Sequence, residues 1–247
     1  MIIDIHAHTW FATYLEDRRS VLSACSRHGF DRVYISTLGV YNPSPKDIAA
    51  YNAITHGFME ENPGLIRGFV TVDPVHPDCL EVFKQGIFRQ GMEGVKIWVS
   101  CLCDDPRVNP LAEACIREGL PLLIHAFKKA TGQLPFETTG VHVRSLALRY
   151  PELKIIMAHM GGDLYHGLRC IDDLPNVWTD ISGTLCGNDD MQYAMGMVGE
   201  GRILFGTDMP ASPHAALARV EGSGLGDAAR ERIYYRNALE ILERKGR

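Results

Sequence analysis

Eight short β-rich runs alternate with longer amphipathic segments from one end of this chain to the other. The runs read IIDIHAH (2–8), RVYIST (32–37), LIRGFVTV (65–72), GVKIWV (94–99), PLLIHA (121–126), LKIIMAH (153–159), NVWTDIS (176–182) and RILFG (202–206). Between them, helices are predicted over Tyr14 to His28, Pro45 to Glu61, Pro77 to Arg89, Asn109 to Glu118, Val141 to Tyr150, Leu164 to Asp172 and Asp190 to Val198. A Gly-rich stretch and a last helix, Ala228 to Arg244, follow the eighth run. Regular β–α alternation implies a parallel sheet with helices packed on it. Eight such units in 247 residues match the size of a closed (β/α)8 TIM barrel, about 250 residues. No linker, composition break or internal repeat divides the chain, so residues 1–247 read as one domain.

Composition narrows the function. Net charge is −5 and no basic run resembles a nucleic-acid footprint. No apolar stretch reaches the roughly 18 residues of a membrane span. The short apolar start lacks the basic region of a signal peptide. Seven cysteines, an odd number, suit reduced thiols and a cytoplasmic location. Cys101 and Cys103 form a CxC pair, a weak metal signal that reads first as two small apolar residues in a loop. The expected partner is a small molecule, with no nucleic acid and no membrane; a homo-oligomer is left open.

The polar residues at the strand ends carry the chemistry. In a strand, side chains at i and i+2 share a face, so Asp4, His6 and His8 point the same way. His125 ends the fifth run, His159 the sixth, and Asp208 follows the eighth in FGTDMP. Barrel enzymes gather their active groups at the C-terminal strand ends. Four histidines and an aspartate at one barrel mouth form a donor set suited to zinc.

The set DIHAH (4–8), GVKI (94–97), LIHA (123–126), AHMGG (158–162) and GTD (206–208) resembles the amidohydrolase superfamily. Within it the likeness is to the branch containing aminocarboxymuconate-semialdehyde decarboxylase. RNALE at 236–240 extends the resemblance to the last helix. The resemblance implies a divalent metal, usually zinc, held by His6, His8, His125 and Asp208. It places His159 as a supporting or second-metal residue. Zinc-bound water ionises near pH 7. Asp208 is expected to take a proton from that water, and His159 to steady the hydroxide or polarise a carbonyl. Lys96 alternates with Val95 and Ile97 and should face inward. It is either a carboxylated bridge between two metals or a buried ammonium paired with Asp4 or Asp208.

The mouth residues suggest what is bound. Lys128 offers an ammonium to a substrate carboxylate. Trp10 and Phe11 form an apolar wall or pack in the core. Gly161 and Gly162 read as a tight turn and Asp163 as a helix cap. Pro210 to Gly226 reads as a mouth loop with a short helix that could act as a lid. The chain lacks the proline that follows HxH in many relatives, is short, and keeps both histidines of the first pair. These features favour hydrolysis of an ester, lactone or amide of a small anionic molecule. The alternatives are a non-hydrolytic carboxy-lyase and a metal-binding barrel without catalysis.

Overall fold

Eight strands hydrogen-bond in chain order, each parallel to the next. The computed structural model describes residues 1–183, 187, 189–210 and 213–244. The strands are β1 (Ile3–Trp10), β2 (Arg32–Leu38), β3 (Ile66–Val72), β4 (Gly94–Ile97), β5 (Leu122–Ile124), β6 (Ile155–Met157), β7 (Val177–Asp180) and β8 (Ile203–Leu204). The ring shuts between the last strand and the first. Ile5 N donates to Phe205 O at 3.0 Å, and His8 N donates to Met209 O at 2.7 Å. The fold is the (β/α)8 barrel the alternation predicts.

The helices follow from their ends. α1 (Tyr14–His28) starts with Glu16 and Asp17 and stops at Gly29, whose φ of 69° few side chains tolerate. α2 (Pro45–Glu61) carries a capping box between Ser44 and Asp47, with Pro45 in its first turn. α3 (Cys79–Lys84) runs into a wider turn at Gln85–Arg89. α4 (Asn109–Glu118), α5 (Gly140–Arg149), α6 (Leu164–Ile171), α7 (Asp190–Val198) and α8 (Pro213–Glu221) complete the outer ring. The predicted last helix is present as α9 (Asp227–Glu231), a wide turn at Arg232–Arg236 and α10 (Asn237–Leu242). Ala211 and Ser212, inside the predicted mouth loop, lie outside the described residues.

Alternation along the strands fills the barrel in two layers. One apolar cluster lies between sheet and helices. A second unites Tyr34, Phe69, Leu123, Ile156 and Leu204, with Ala238 and Ile241 of α10. Leu123 and His125, like Phe69 and Thr71, are two residues apart on one strand path, so the apolar members sit below the polar ones. The floor is packed with apolar side chains, and the mouth carries the ionisable groups. β5 stops at Ile124 and β6 at Met157, shorter than the sequence suggests. His125 and His159 therefore stand just past the ladder, where the strands splay into the mouth.

Candidate metal centre

Each of the four mouth imidazoles is gripped on its outer nitrogen by an acceptor. His6 Nδ1 lies 2.9 Å from Asp180 Oδ2. His8 Nδ1 lies 2.9 Å from the Ser36 carbonyl oxygen. His125 Nε2 lies 3.1 Å from Glu137 Oε1. His159 Nδ1 lies 3.3 Å from the Ser182 carbonyl oxygen and 3.0 Å from its hydroxyl. An acceptor on one nitrogen of a neutral imidazole holds the proton there and leaves a lone pair on the other. The lone pairs accordingly face inward. His6 Nε2 and His8 Nε2 are 2.9 Å apart, and His125 Nδ1 and His159 Nε2 are 3.3 Å apart.

Asp208 completes the first of these pairs. Its Oδ1 is 3.3 Å from His8 Nε2 and 3.7 Å from His6 Nε2. Three acceptor atoms thus converge on one point from β1 and from the turn after β8. Acceptors crowded this closely repel unless a cation lies among them, and two imidazoles with a carboxylate suit a divalent metal. The outer grips match the arrangement that orients metal-binding imidazoles. The residues present fit such an ion. His6, His159 and Asp180 also lie close enough to form a ligand group, but Asp180 already accepts from His6 Nδ1.

Burial sets the protonation of the site. It pushes His6 well below its ordinary value, helped by the positive charge of Lys96. It lowers His159 to about 4 and His125 in the same direction. These rings are neutral at pH 7 and able to coordinate. Burial would raise the Asp208 carboxyl, but its contact with His8 and the neighbouring imidazoles hold it well below the usual range. Lys96 is fully buried, faces inward as its alternation predicts, and is pushed down to about 8 by burial. Its Nζ lies 3.0 Å from His6 Nε2, and the charges of Asp208 and Asp180 act on it. Asp4 is engaged elsewhere. It accepts from the Thr207 hydroxyl at 2.5 Å, Thr207 N at 3.1 Å and His6 N at 3.1 Å.

The local backbone is unusual at two site residues. His159 has φ 62° and Asp208 φ 57°, both left-handed. Gly183 faces the first of them: a Cβ there would lie 2.6 Å from His159 Nδ1. Asp208 N and Thr207 N both donate to the His6 carbonyl, at 2.8 and 3.2 Å. The turn after β8 is thereby fixed to the strand that carries the histidine pair.

The sequence matches the family model described as Amidohydrolase over residues 3–244. The chain belongs to the amidohydrolase family. Solved structures agree with this amidohydrolase in fold. One is 2,6-dihydroxybenzoate decarboxylase from Rhizobium, with TM-score 0.78, 18% identity and 98% of each chain covered. Another is a dihydroxybenzoic acid decarboxylase from Polaromonas sp. JS666, solved with manganese and the inhibitor 2-nitroresorcinol. Its TM-score is 0.77 and its identity 18%, covering 98% of this chain and 96% of that one. A third is 4-oxalomesaconate hydratase from Rhodopseudomonas palustris, with TM-score 0.74, 19% identity, and 98% and 95% covered. No curated protein matches by sequence.

The amidohydrolase site gathers most of the residues picked out in the sequence, though not in one shell. His6, His8 and Asp208 form one ligand group. His125 stands beside His159 rather than in that group. Trp10 is half-exposed beside His8, with ring centroids 6.3 Å apart, and meets Trp98 edge-on at 5.5 Å. Lys128 is tied by its backbone to Gly161 O at 2.8 Å, and its charge acts on His166 and Cys170 of α6. The next residue, Lys129, reaches the histidine cluster through Glu137. Asp163 caps α6 by accepting from His166 N at 3.2 Å. Cys101 and Cys103 are buried free thiols, and burial pushes Cys101 up to about 11. Among the described residues no cysteine joins a ligand group.

Asp180, Glu137, Ser182 and Trp98 escaped the sequence reading. Asp180 lies at the end of the seventh run, NVWTDIS, so the strand-end rule that found the histidines applied to it as well. Glu137 sits in a loop with no periodicity to mark it. Among the described residues no helix is long and apolar enough to cross a membrane.

Proposed function

We propose that the chain is a single-domain, metal-dependent carboxy-lyase acting on a small planar carboxylic acid with a conjugated or aromatic body. The observation that carries this reading is the aromatic wall beside the inward-facing imidazoles. Trp10 and Trp98 meet at 5.5 Å, Tyr41 adds to Trp98 at 5.0 Å, and Phe127 stacks on His125 at 6.1 Å with an interplanar angle of 9°. Flat aromatic faces next to a cationic centre select a flat acid. The decarboxylases among similar structures support the same choice and move it ahead of hydrolysis.

His6, His8 and Asp208 would hold the ion, with His125 the next donor. Imidazole-rich donors bind zinc more tightly than manganese, so zinc is the proposed ion. A divalent ion there would neutralise the substrate carboxylate or an adjacent oxygen. The aromatic residues would hold the ring in place. In the reaction the C–C bond breaks, carbon dioxide leaves, and the electron pair stays on the ring carbon, which then takes a proton. Ionised Asp208 can accept a proton from a substrate hydroxyl or water and return it to that carbon.

Hydrolysis stands as the second reading. The intact His6–His8 pair with Asp208 beside it favours it, since that arrangement also suits a metal-held water and its base. One experiment separates the two. The zinc-loaded protein is offered hydroxybenzoates, conjugated dicarboxylates, aryl esters and lactones in ¹⁸O- and ²H-labelled water. Carbon dioxide with deuterium on the vacated carbon is expected. Ester or lactone cleavage with ¹⁸O in the acid, and no carbon dioxide from any acid, would reject the lyase reading.

A further inference from the structure

Three of the four outer grips come from the barrel itself: Asp180 ends β7, Ser36 lies in β2 and Ser182 follows β7. The grip on His125 is different. It comes from Glu137, in the loop joining β5 to α5. This loop is pinned where Phe127 N donates to Thr138 O at 2.9 Å, and where Cys103 N donates to the Thr138 hydroxyl at 2.9 Å. The Glu137 side chain is 2% exposed, yet both of its oxygens are used. Oε1 faces His125 Nε2 at 3.1 Å. Oε2 accepts from Lys129 Nζ at 2.7 Å and from Gln133 Nε2 at 3.0 Å.

We propose that Glu137 is a positioning residue that fixes the proton of His125 on Nε2 and so presents Nδ1 as a donor atom to the metal centre. Lys129 and Gln133 hold the carboxylate in the orientation that does this. A buried carboxylate without such partners would be costly, and here the lysine supplies the countercharge from the same loop. The His125 donor is thus controlled by loop 127–138 and not by the sheet. A change in that loop would alter the ligand set while β1 and its two histidines stayed in place. The role of Nδ1 as a metal donor rests on the metal reading of the site. The tautomer does not.

The test therefore has two readouts. In metal-free protein, ¹⁵N-histidine NMR should show His125 as the Nε2–H tautomer. Glu137→Gln should convert it to a mixture, because the amide offers a donor as well as an acceptor. Zinc affinity, measured by chelator competition, should fall about 10- to 100-fold. Lys129→Gln, which keeps the carboxylate but removes one of its two side-chain anchors, should move the tautomer and the affinity in the same direction by less than Glu137→Gln does. If Glu137→Gln does not fold, Glu137→Asp shortens the reach by one carbon and should give the same mixed tautomer. An unchanged His125 tautomer in the folded variant would overturn the proposal. So would a changed tautomer with unchanged zinc affinity. Wild-type protein that takes no zinc, with the tautomer still changed in Glu137→Gln, would reject the metal reading and leave the positioning of His125 standing.

Discussion

His6 and Asp180 are 174 residues apart in the chain and 2.9 Å apart in space, with Nδ1–H of the ring donating to Oδ2 of the carboxylate. Both side chains are fully buried. Asp180 Oδ1 is also occupied, by Ser182 N at 2.9 Å and the Ser182 hydroxyl at 2.5 Å. The carboxylate is held from below, so the ring it orients has little freedom. Asp180→Ala should leave the imidazole free to change tautomer and weaken zinc binding about 10- to 100-fold. Titration against a competing chelator measures this. Unchanged affinity would mean that the grip on Nδ1 does not govern Nε2.

Asp208→Asn keeps one coordinating oxygen and the shape of the turn, but removes the charge that accepts a proton. Metal content, measured by elemental analysis, should be largely retained. Turnover should fall by about 10²- to 10⁴-fold, the scale of acid–base catalysis. A variant with normal turnover would assign the proton to another group.

Trp98 contacts both Trp10 and Tyr41, so removing it should collapse the aromatic wall without touching a metal donor. Trp98→Ala should weaken binding of a benzoate-type inhibitor about 10-fold, the worth of roughly 1.4 kcal/mol of ring contact. Zinc affinity should not move. Equal loss of both would show that the ring supports the centre rather than the ligand.

The site was legible in the sequence wherever one element supplied the pattern. His6 and His8 announce themselves by i, i+2 spacing on one strand, and Lys96 by its place between Val95 and Ile97. His125, His159 and Asp208 follow from the rule that barrel strands end at the site. Glu137, which acts on His125 from a loop, leaves no such trace. Asp180 was hidden in plain view, because a strand-end aspartate has no marker of what it faces across the barrel. That Lys129, and not the expected Lys128, reaches the histidine cluster depends on the path of one loop. Substrate specificity was least legible, since Trp10 and Trp98 become a wall only when β1 and β4 are brought to the same mouth.

Asp4 gives a pH signature. Burial raises its carboxyl from 3.8 to about 7, against the pull of the Thr207 hydroxyl. The folded chain keeps this proton where the unfolded chain releases it. The resulting stabilisation is fully present below the unfolded value and is lost as pH rises through about 7. A shift of this size corresponds to ~4 kcal/mol. Urea unfolding of metal-free protein at pH 4, 6 and 8 should show wild type losing stability across this range relative to Asp4→Asn. Parallel curves would place the proton elsewhere.

The seam between the last strand and the first has a consequence for biosynthesis. Asp4 grips Thr207 across 203 residues of sequence, and the His6 carbonyl receives the amides of Thr207 and Asp208. Contacts of such long range carry a large loop-closure cost and form late. A nascent chain with seven strands synthesised would already hold His6, His8, His125 and His159 and still lack the carboxylate that faces the His6–His8 pair. Metal captured then would meet an incomplete set of donors, whereas metal arriving after closure would tie the first strand to the turn after the last. The ion would serve as a clasp on the finished ring, and its removal should loosen the β8–β1 edge before any other part of the barrel.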